Sequence, residues 1–282
     1  MIILDYNQIA LSNVIVQKLG DEEMIRHMIL NSIRMYNKKF GPEYGEVVIA
    51  SDGMNTWRRD IFPQYKGVRK AKRAESTIDW NHIFRIMDTV RNELAEYSHY
   101  KVLNLAGCEG DDIIGALTEN TQEFGKHEPV MIVSSDTDFV QLHRYGNVKQ
   151  YSPIQKKFVV EKNPKAYFFE HIIRGDTGDG VPNVLSGDNV LMDKIRQSPI
   201  TAKKLDEWIR HAEDLKSVMP EDVYRNYQRN KKLIDLGEMP NDIKEKIINT
   251  YETYKLPHKT KFMSYLINKR CKLLIECIEE FY

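Results

Sequence analysis

Four short apolar runs punctuate the first half of the chain: Met1-Ile-Ile-Leu4, Glu46-Val-Val-Ile-Ala50, His99-Tyr-Lys-Val-Leu-Asn-Leu105 and Val130-Met-Ile-Val133. Their length and β-branched content fit buried strands. Between them, apolar residues recur at helical spacing. Glu22 to Phe40 carries Met24, Met28, Ile29, Ile33 and Tyr36, and Gly41-Pro42 is expected to stop that helix. Trp80 to Tyr97 follows Asp79 as an N-cap, and a further helix runs from Ile113 to Asn120. Strands alternating with helices predict an α/β fold, a mainly parallel central sheet flanked by helices. Beyond Pro182 strand-like runs cease, and helical patterns follow at about 201–217, 221–236, 241–254 and 261–281. The chain is therefore divided into residues 1–182 and a smaller all-helical C-terminal domain, residues 183–282.

Each predicted strand delivers acids. Asp5 ends the first and Asp52 follows the second. Glu109, Asp111 and Asp112 follow the third, and Asp136 and Asp138 the fourth. Asp176 and Asp179 lie in a later turn-rich loop. In parallel sheets the ligand crevice lies beyond the carboxyl ends of the strands. No basic residue lies close in sequence to Asp136 and Asp138, and crowded carboxylates are costly without a cation or proton between them. Oxygen-only ligands favour Mg²⁺ or Mn²⁺ over zinc. A single acid after a strand is usually a turn residue or cap; it is the convergence that points to metal. The acids alone leave three classes open: a two-metal phosphodiesterase, a sugar-nucleotide transferase using Asp136–Asp138, and a phosphatase starting from the first strand's aspartate.

Composition changes this little. Forty-one basic residues balance forty-one acidic ones, with 41% hydrophobic residues, as in an ordinary globular protein. Cys108, Cys271 and Cys277 lack metal or disulfide spacing and read as reduced thiols. No apolar run approaches the ~18 residues of a membrane span, nor does the start fit a signal peptide, so a soluble intracellular protein is expected. The charge distribution is more informative. From Arg58 to Arg73 come Arg58, Arg59, Lys66, Arg69, Lys70, Lys72 and Arg73, opposed only by Asp60. Such a run alone is usually a solvated face. Here Tyr65 adjoins Lys66, pairing a stacking surface with a phosphate contact, and the run follows Asp52. A cationic rim beside an acid cluster suits a polyanion such as nucleic acid.

At these residues the chain resembles the flap-endonuclease and 5′→3′-exonuclease family, most closely its T-even bacteriophage ribonuclease H branch. The matching stretches are Ile3-Leu-Asp5-Tyr-Asn-Gln-Ile-Ala10, Trp57-Arg-Arg-Asp60 with Tyr65-Lys-Gly-Val-Arg69, Glu109-Gly-Asp-Asp112, Ser134-Ser-Asp-Thr-Asp-Phe139 and Gly175-Asp-Thr-Gly-Asp-Gly-Val-Pro182. The resemblance implies a PIN/5′-nuclease-like domain with a basic arch or gateway at about 57–80. It implies two Mg²⁺ ions, for which Mn²⁺ can substitute. Asp5, Asp52, Glu109, Asp111, Asp136 and Asp138 would build the inner site, Asp112 would adjoin it or the second ion, and Asp176 and Asp179 would serve the second ion, mostly through water. Lys66 and Arg58 would grip the scissile phosphate, Tyr65 would stack on the terminal base, and Arg59, Arg69, Lys70, Lys72 and Arg73 would contact nucleic acid. Expected substrates are DNA and RNA–DNA hybrids with 5′ ends, flaps or forks. The expected task is primer removal during phage DNA replication, by a monomer in the host cytoplasm. A single-strand binding protein and a sliding clamp are the expected partners; a fork-binding module holding only a structural cation is the alternative.

The chain departs from the family pattern after Pro182. Many relatives place a glycine hairpin and a Lys-Thr-Ala-like helix start there to bind duplex. Asn183-Val-Leu-Ser-Gly-Asp-Asn189 offers one glycine and no such start. With four residues before Asp5, no N-terminal tail is expected to carry a clamp peptide, and Cys277–Tyr282 reads as a helix end packed on the core. His27, His82, His99 and His143 read as surface or core residues, Trp57 and Trp80 as packing under the arch, and Met24, Met28, Met35 and Met87 as core filler.

Overall fold

The computed structural model describes residues 1–17 and 20–282. Six strands form one sheet in the order β3-β2-β1-β4-β5-β6: β1 Ile2–Asp5, β2 Val47–Ser51, β3 Lys101–Asn104, β4 Val130–Val133, β5 Val148–Ser152 and β6 Lys157–Val159. All pairings are parallel except β5 with β6. The four expected strands are present; β5 and the antiparallel edge strand β6 are additional. The order reverses at β1, which pairs with β2 on one side and β4 on the other. A crevice opens beyond strand ends at such a reversal.

Alternate strand residues feed two cores, as a period of two requires. Ile2, Leu4, Ile49 and Val133 face one side. Helices α2 (Glu22–Tyr44) and α5 (Trp80–Tyr97) cover it, with α11 (Thr260–Asn268) and α12 (Lys272–Ile275). Ile3, Val48, Ala50 and Ile132 face the other, against α6 (Gly110–Asn120) and α10 (Asn241–Glu252). The remaining helices are α1 (Tyr6–Gln17), α3 (Arg58–Ile61), α4 (Gly67–Ala74), α7 (Pro164–Arg174), α8 (Ala202–Arg210) and α9 (Glu221–Ile234). Residues after Pro182 thus include Phe262, Tyr265, Leu266 and Phe281 in the first core and Leu236, Met239 and Ile247 in the second. A separate cluster joins Trp208, Leu215 and Val223 to Ile173 and Val184.

Three local expectations need correction. Helix α2 does not stop at Gly41-Pro42 but continues to Tyr44 and ends at Gly45, whose φ of 74° favours glycine. Near a helix's last turn, the N–H that proline lacks is a small loss beside the burial of Phe40 and Tyr44. Met24 and Met35 are solvent-exposed, because the buried stripe of α2 follows Ile25, Ile29, Ile33, Tyr36 and Phe40 instead. Helix α1 was not anticipated. No helix among the described residues is long and apolar enough to cross a membrane.

Candidate functional site

Parallel register carries the acids to one edge. Asp5 ends β1, Asp52 follows β2, Asp111 lies in the first turn of α6, and Asp136 follows β4. These four line a cleft of about 380 Å³, whose other walls include Lys66, Arg69 and Arg73. Neutral groups fix the carboxylates. Asp5 accepts from the Gln8 amide (3.0 Å) and the Ser134 hydroxyl (2.8 Å). Asp52 accepts from the Gly110 amide (2.8 Å) and the Asn7 side-chain amide (2.9 Å). Asp136 accepts from the Asp138 amide (3.0 Å). Behind them Gln150 of β5, fully buried, donates to the carbonyls of Ser134 (2.9 Å) and Asp136 (2.6 Å).

Among the described residues none of these four acids has an ion-pair partner. Burial, aided by the charge of Asp52 and opposed by its hydrogen bonds, pushes Asp5 up to about 6. Burial and the adjacent Asp138 charge push Asp136 up to about 7. Asp111 is held well above the ordinary range by burial and by Asp136, Asp5 and Glu109. Desolvated carboxylates that raise one another's pKa are what a divalent cation relieves, so this donor set fits a hard metal ion.

Three other expected metal ligands, Glu109, Asp112 and Asp179, are engaged with side chains of the protein. Glu109 meets Arg58 (2.9 Å), Lys66 (2.5 Å) and the Tyr65 hydroxyl (3.0 Å). Burial alone would raise its pKa, but Lys66 and Arg58 hold it below the usual range. Asp112, fully buried, pairs with Arg58 (2.8 Å) and accepts from the Glu109 amide (2.8 Å) and the Trp57 indole N–H (3.2 Å). It anchors the start of α6. Asp179 pairs with Arg69 (2.5 Å) and accepts from the Tyr65 hydroxyl (2.8 Å).

Two expected nucleic-acid contacts are also corrected. Arg58 is 2% exposed and donates to the Leu233 carbonyl besides its two carboxylates, so it does not reach a phosphate. Tyr65 is 4% exposed, packed with Phe62, Ile172, Val181 and Leu233, and presents no face to a base. Apolar Phe62 and Tyr65 turn this stretch inward, which a count of cations cannot show. Lys66 faces the cleft from a left-handed backbone (φ 58°), its amide donating to the Asp179 carbonyl (2.6 Å). Arg59, Lys70, Lys72 and Arg73 are exposed, and Arg73 lies over the rings of Trp80 and Phe84.

A residue the sequence reading passed over completes the picture. His171 Nε2 lies 2.7 Å from Asp138 Oδ1, a basic group close in space though distant in sequence. Burial disfavours the imidazolium, yet Asp138, Asp176 and Asp136 outweigh it and raise the His171 pKa. Asp176 comes near because Gly175 (φ 67°) turns the chain back on itself; a Cβ there would lie 2.5 Å from the carbonyls of Val181 and Pro182. No sequence pattern marks the pair, since 33 residues separate its members.

Comparison with known proteins agrees with this geometry. Residues 8–171 match the family described as 5′-3′ exonuclease, N-terminal resolvase-like domain, and residues 163–281 the family described as T4 RNase H, C terminal. The chain is 35% identical to the ribonuclease H of Enterobacteria phage T4, over 99% of this chain and 95% of that protein. It is 28% identical to a 5′-3′ exonuclease of Buchnera aphidicola subsp. Schizaphis graminum, over 49% of this chain and 47% of that one. Among solved structures, T5 5′-exonuclease with bound zinc matches with a TM-score of 0.68 at 17% identity, covering 90% of this chain and 99% of that one. The chain belongs to the 5′→3′ exonuclease family, in its phage ribonuclease H branch.

Proposed function

We propose that the chain is a metal-dependent, structure-specific 5′ nuclease that hydrolyses phosphodiester bonds of RNA–DNA hybrids and of duplex or flap DNA, and so removes RNA primers in phage DNA replication. The observation that carries this reading is the cleft in which Asp5, Asp52, Asp111 and Asp136, without ion-pair partners among the described residues, share the walls with Lys66, Arg69 and Arg73. Those four acids would hold one Mg²⁺, and Asp138 with Asp176 a second. Bound metal would supply charge to activate water and to offset the negative charge gathering on the phosphate. Lys66 donates to a non-bridging or departing oxygen from a position fixed by Glu109 and the Asp179 carbonyl. Arg69, held by Asp179 and the Gly178 carbonyl, and the exposed Arg59, Lys70, Lys72 and Arg73 draw the strand in. Arg58, Tyr65, Glu109, Asp112 and Asp179 position that wall. The T5 flap endonuclease, of like fold (TM-score 0.63), has been solved with DNA and metal ions, which supports nucleic acid as the partner here. A single-strand binding protein, a sliding clamp and the host cytoplasm complete the proposal, on the resemblance alone.

The test is a 5′-labelled RNA–DNA hybrid and a 5′-flap duplex incubated with Mg²⁺, with Mn²⁺ and with chelator. Short 5′ products with either ion and none with chelator are expected; cleavage indifferent to chelator, or salt-sensitive binding without turnover, would overturn the reading in favour of a fork-binding module.

A further inference from the structure

Lys66 keeps a conformation that its residue type disfavours. A left-handed backbone (φ 58°) at a residue with a Cβ persists only where the surroundings over-determine it. On the inner side those surroundings are the Glu109 carboxylate, which takes the ammonium, and the Asp179 carbonyl, which takes the amide. On the outer side a loop that does not line the cleft brackets Lys66 in sequence. Asn189 Oδ1 accepts from the side-chain amide of Gln64, two residues before Lys66 (2.6 Å). Met192 lies against Gly67, one residue after it; a Cβ on Gly67 would lie 2.8 Å from Met192 Sδ. The loop is itself tied down. The Asn183 side chain donates to the Ser198 carbonyl (2.8 Å), and the Ser198 amide donates to the Ser186 hydroxyl (3.0 Å). Between these ties Asp188 pairs with Arg225 (2.6 Å) and with the buried Arg229, both of α9. Asn189 and Met192 are exposed, so neither holds a core together.

From this geometry we infer that the loop of residues 187–194 aims Lys66. Asn189 and Met192 are positioning residues: they fix Gln64 and Gly67, and the left-handed turn between those two delivers Nζ to the cleft. The inference rests on the nuclease reading above, in which Lys66 donates to a phosphate oxygen. It adds that the aim of this cation is set from α9, through Asp188, as well as from Glu109. A hydrogen-bond donor misplaced by about 1 Å can cost about 100-fold in rate, so a contact two residues away is enough to matter.

The test is cleavage of a 5′-labelled flap duplex in Mg²⁺ by the full chain. Asn189→Ala combined with Met192→Ala should lower kcat about 10–100-fold. KM should stay within about twofold of wild type, and the melting temperature should be unchanged. In a Lys66→Ala background the same two substitutions should alter kcat by less than about twofold, because the group they aim is gone. Met192→Ala alone should lower kcat, and Met192→Leu, which keeps the apolar bulk, should restore it. Losses that multiply in the Lys66→Ala background would make the loop a structural tie. A raised KM with unchanged kcat would make it a substrate contact, and unchanged constants would leave it no role; each overturns the inference. Should the combined variant misfold, Met192→Ala and Met192→Leu decide: equal loss in both, or loss in neither, overturns it. A wild type that cleaves flaps while the loop variants are unimpaired sinks this inference and leaves the nuclease standing. A wild type that does not cleave flaps sinks the nuclease reading, and this inference with it.

Discussion

Asp111 and Asp136 are desolvated carboxylates without an ion-pair partner among the described residues, and the consequence is measurable without substrate. Burial raises both pKa values; Asp136 raises Asp111 further, and Asp138 and Asp5 raise Asp136 further, so removing one charge relieves the metal-free protein. Asp136→Asn and Asp111→Asn should each melt at or above the wild-type temperature in chelator. Wild type should then gain stability with Mg²⁺ or Mn²⁺, as any ligand of the folded state confers, and the variants should gain little. Cleavage should fall by at least about 100-fold in both. Lys66→Ala tests the opposite wall. Cleavage should drop about 10²–10³-fold, as for loss of one oxyanion donor, with far-ultraviolet circular dichroism unchanged. Most of these acids were legible because a strand end is a fixed address: Asp5, Asp52 and Asp136 reach the edge whatever the loops do. What the cations do was less legible. Arg58 and Lys66 are alike in a charge count, but Arg58 is drawn under the surface by Trp57, Phe62 and Tyr65, while Lys66 is held facing the cleft.

Helices α2, α5 and α11 are joined by one carboxylate. Glu93 of α5 receives Arg26 of α2 (2.9 Å), the Tyr265 hydroxyl of α11 (2.9 Å) and Lys269 just beyond it (2.5 Å). Burial alone would raise its pKa, but the hydrogen bonds of Arg26, Lys269 and Tyr265 hold it below 4.5. A depressed folded-state pKa contributes stability above the unfolded value, and that contribution is lost as pH falls through the folded one. Glu93→Gln leaves Arg26, 3% exposed, short of charge and should cost about 3 kcal/mol at pH 7 in urea unfolding. The difference from wild type should shrink once the pH is brought well below 4.5. Periodicity located α2 and α5 and the first four strands because their buried faces repeat. It missed β5, whose inward residues include Gln150 and Ser152; a polar side chain is buried there because it can donate to the two carbonyls that shape the Asp136 turn. It missed β6 because three residues carry no period.

In the molecule as a whole, the last residues return to the first. Phe262, Tyr265, Leu266 and Phe281 share a core with Ile2 and Leu4, and the Tyr100 hydroxyl donates to the Phe281 carbonyl (2.6 Å). Phe262→Ala, at a fully buried ring, should cost about 3–5 kcal/mol in chemical denaturation. Flap cleavage measured well below the variant's melting temperature should keep its KM, since the ring lies on the sheet face and not at the acidic edge. The helical pattern of 261–281 was readable from sequence, whereas its partner was not, because nothing in an amphipathic stripe names the surface it will meet. This closure has a bearing on synthesis. A chain still emerging from the ribosome exposes the strands that carry Asp5, Asp52 and Asp136 but lacks the aromatic plug that seals their floor.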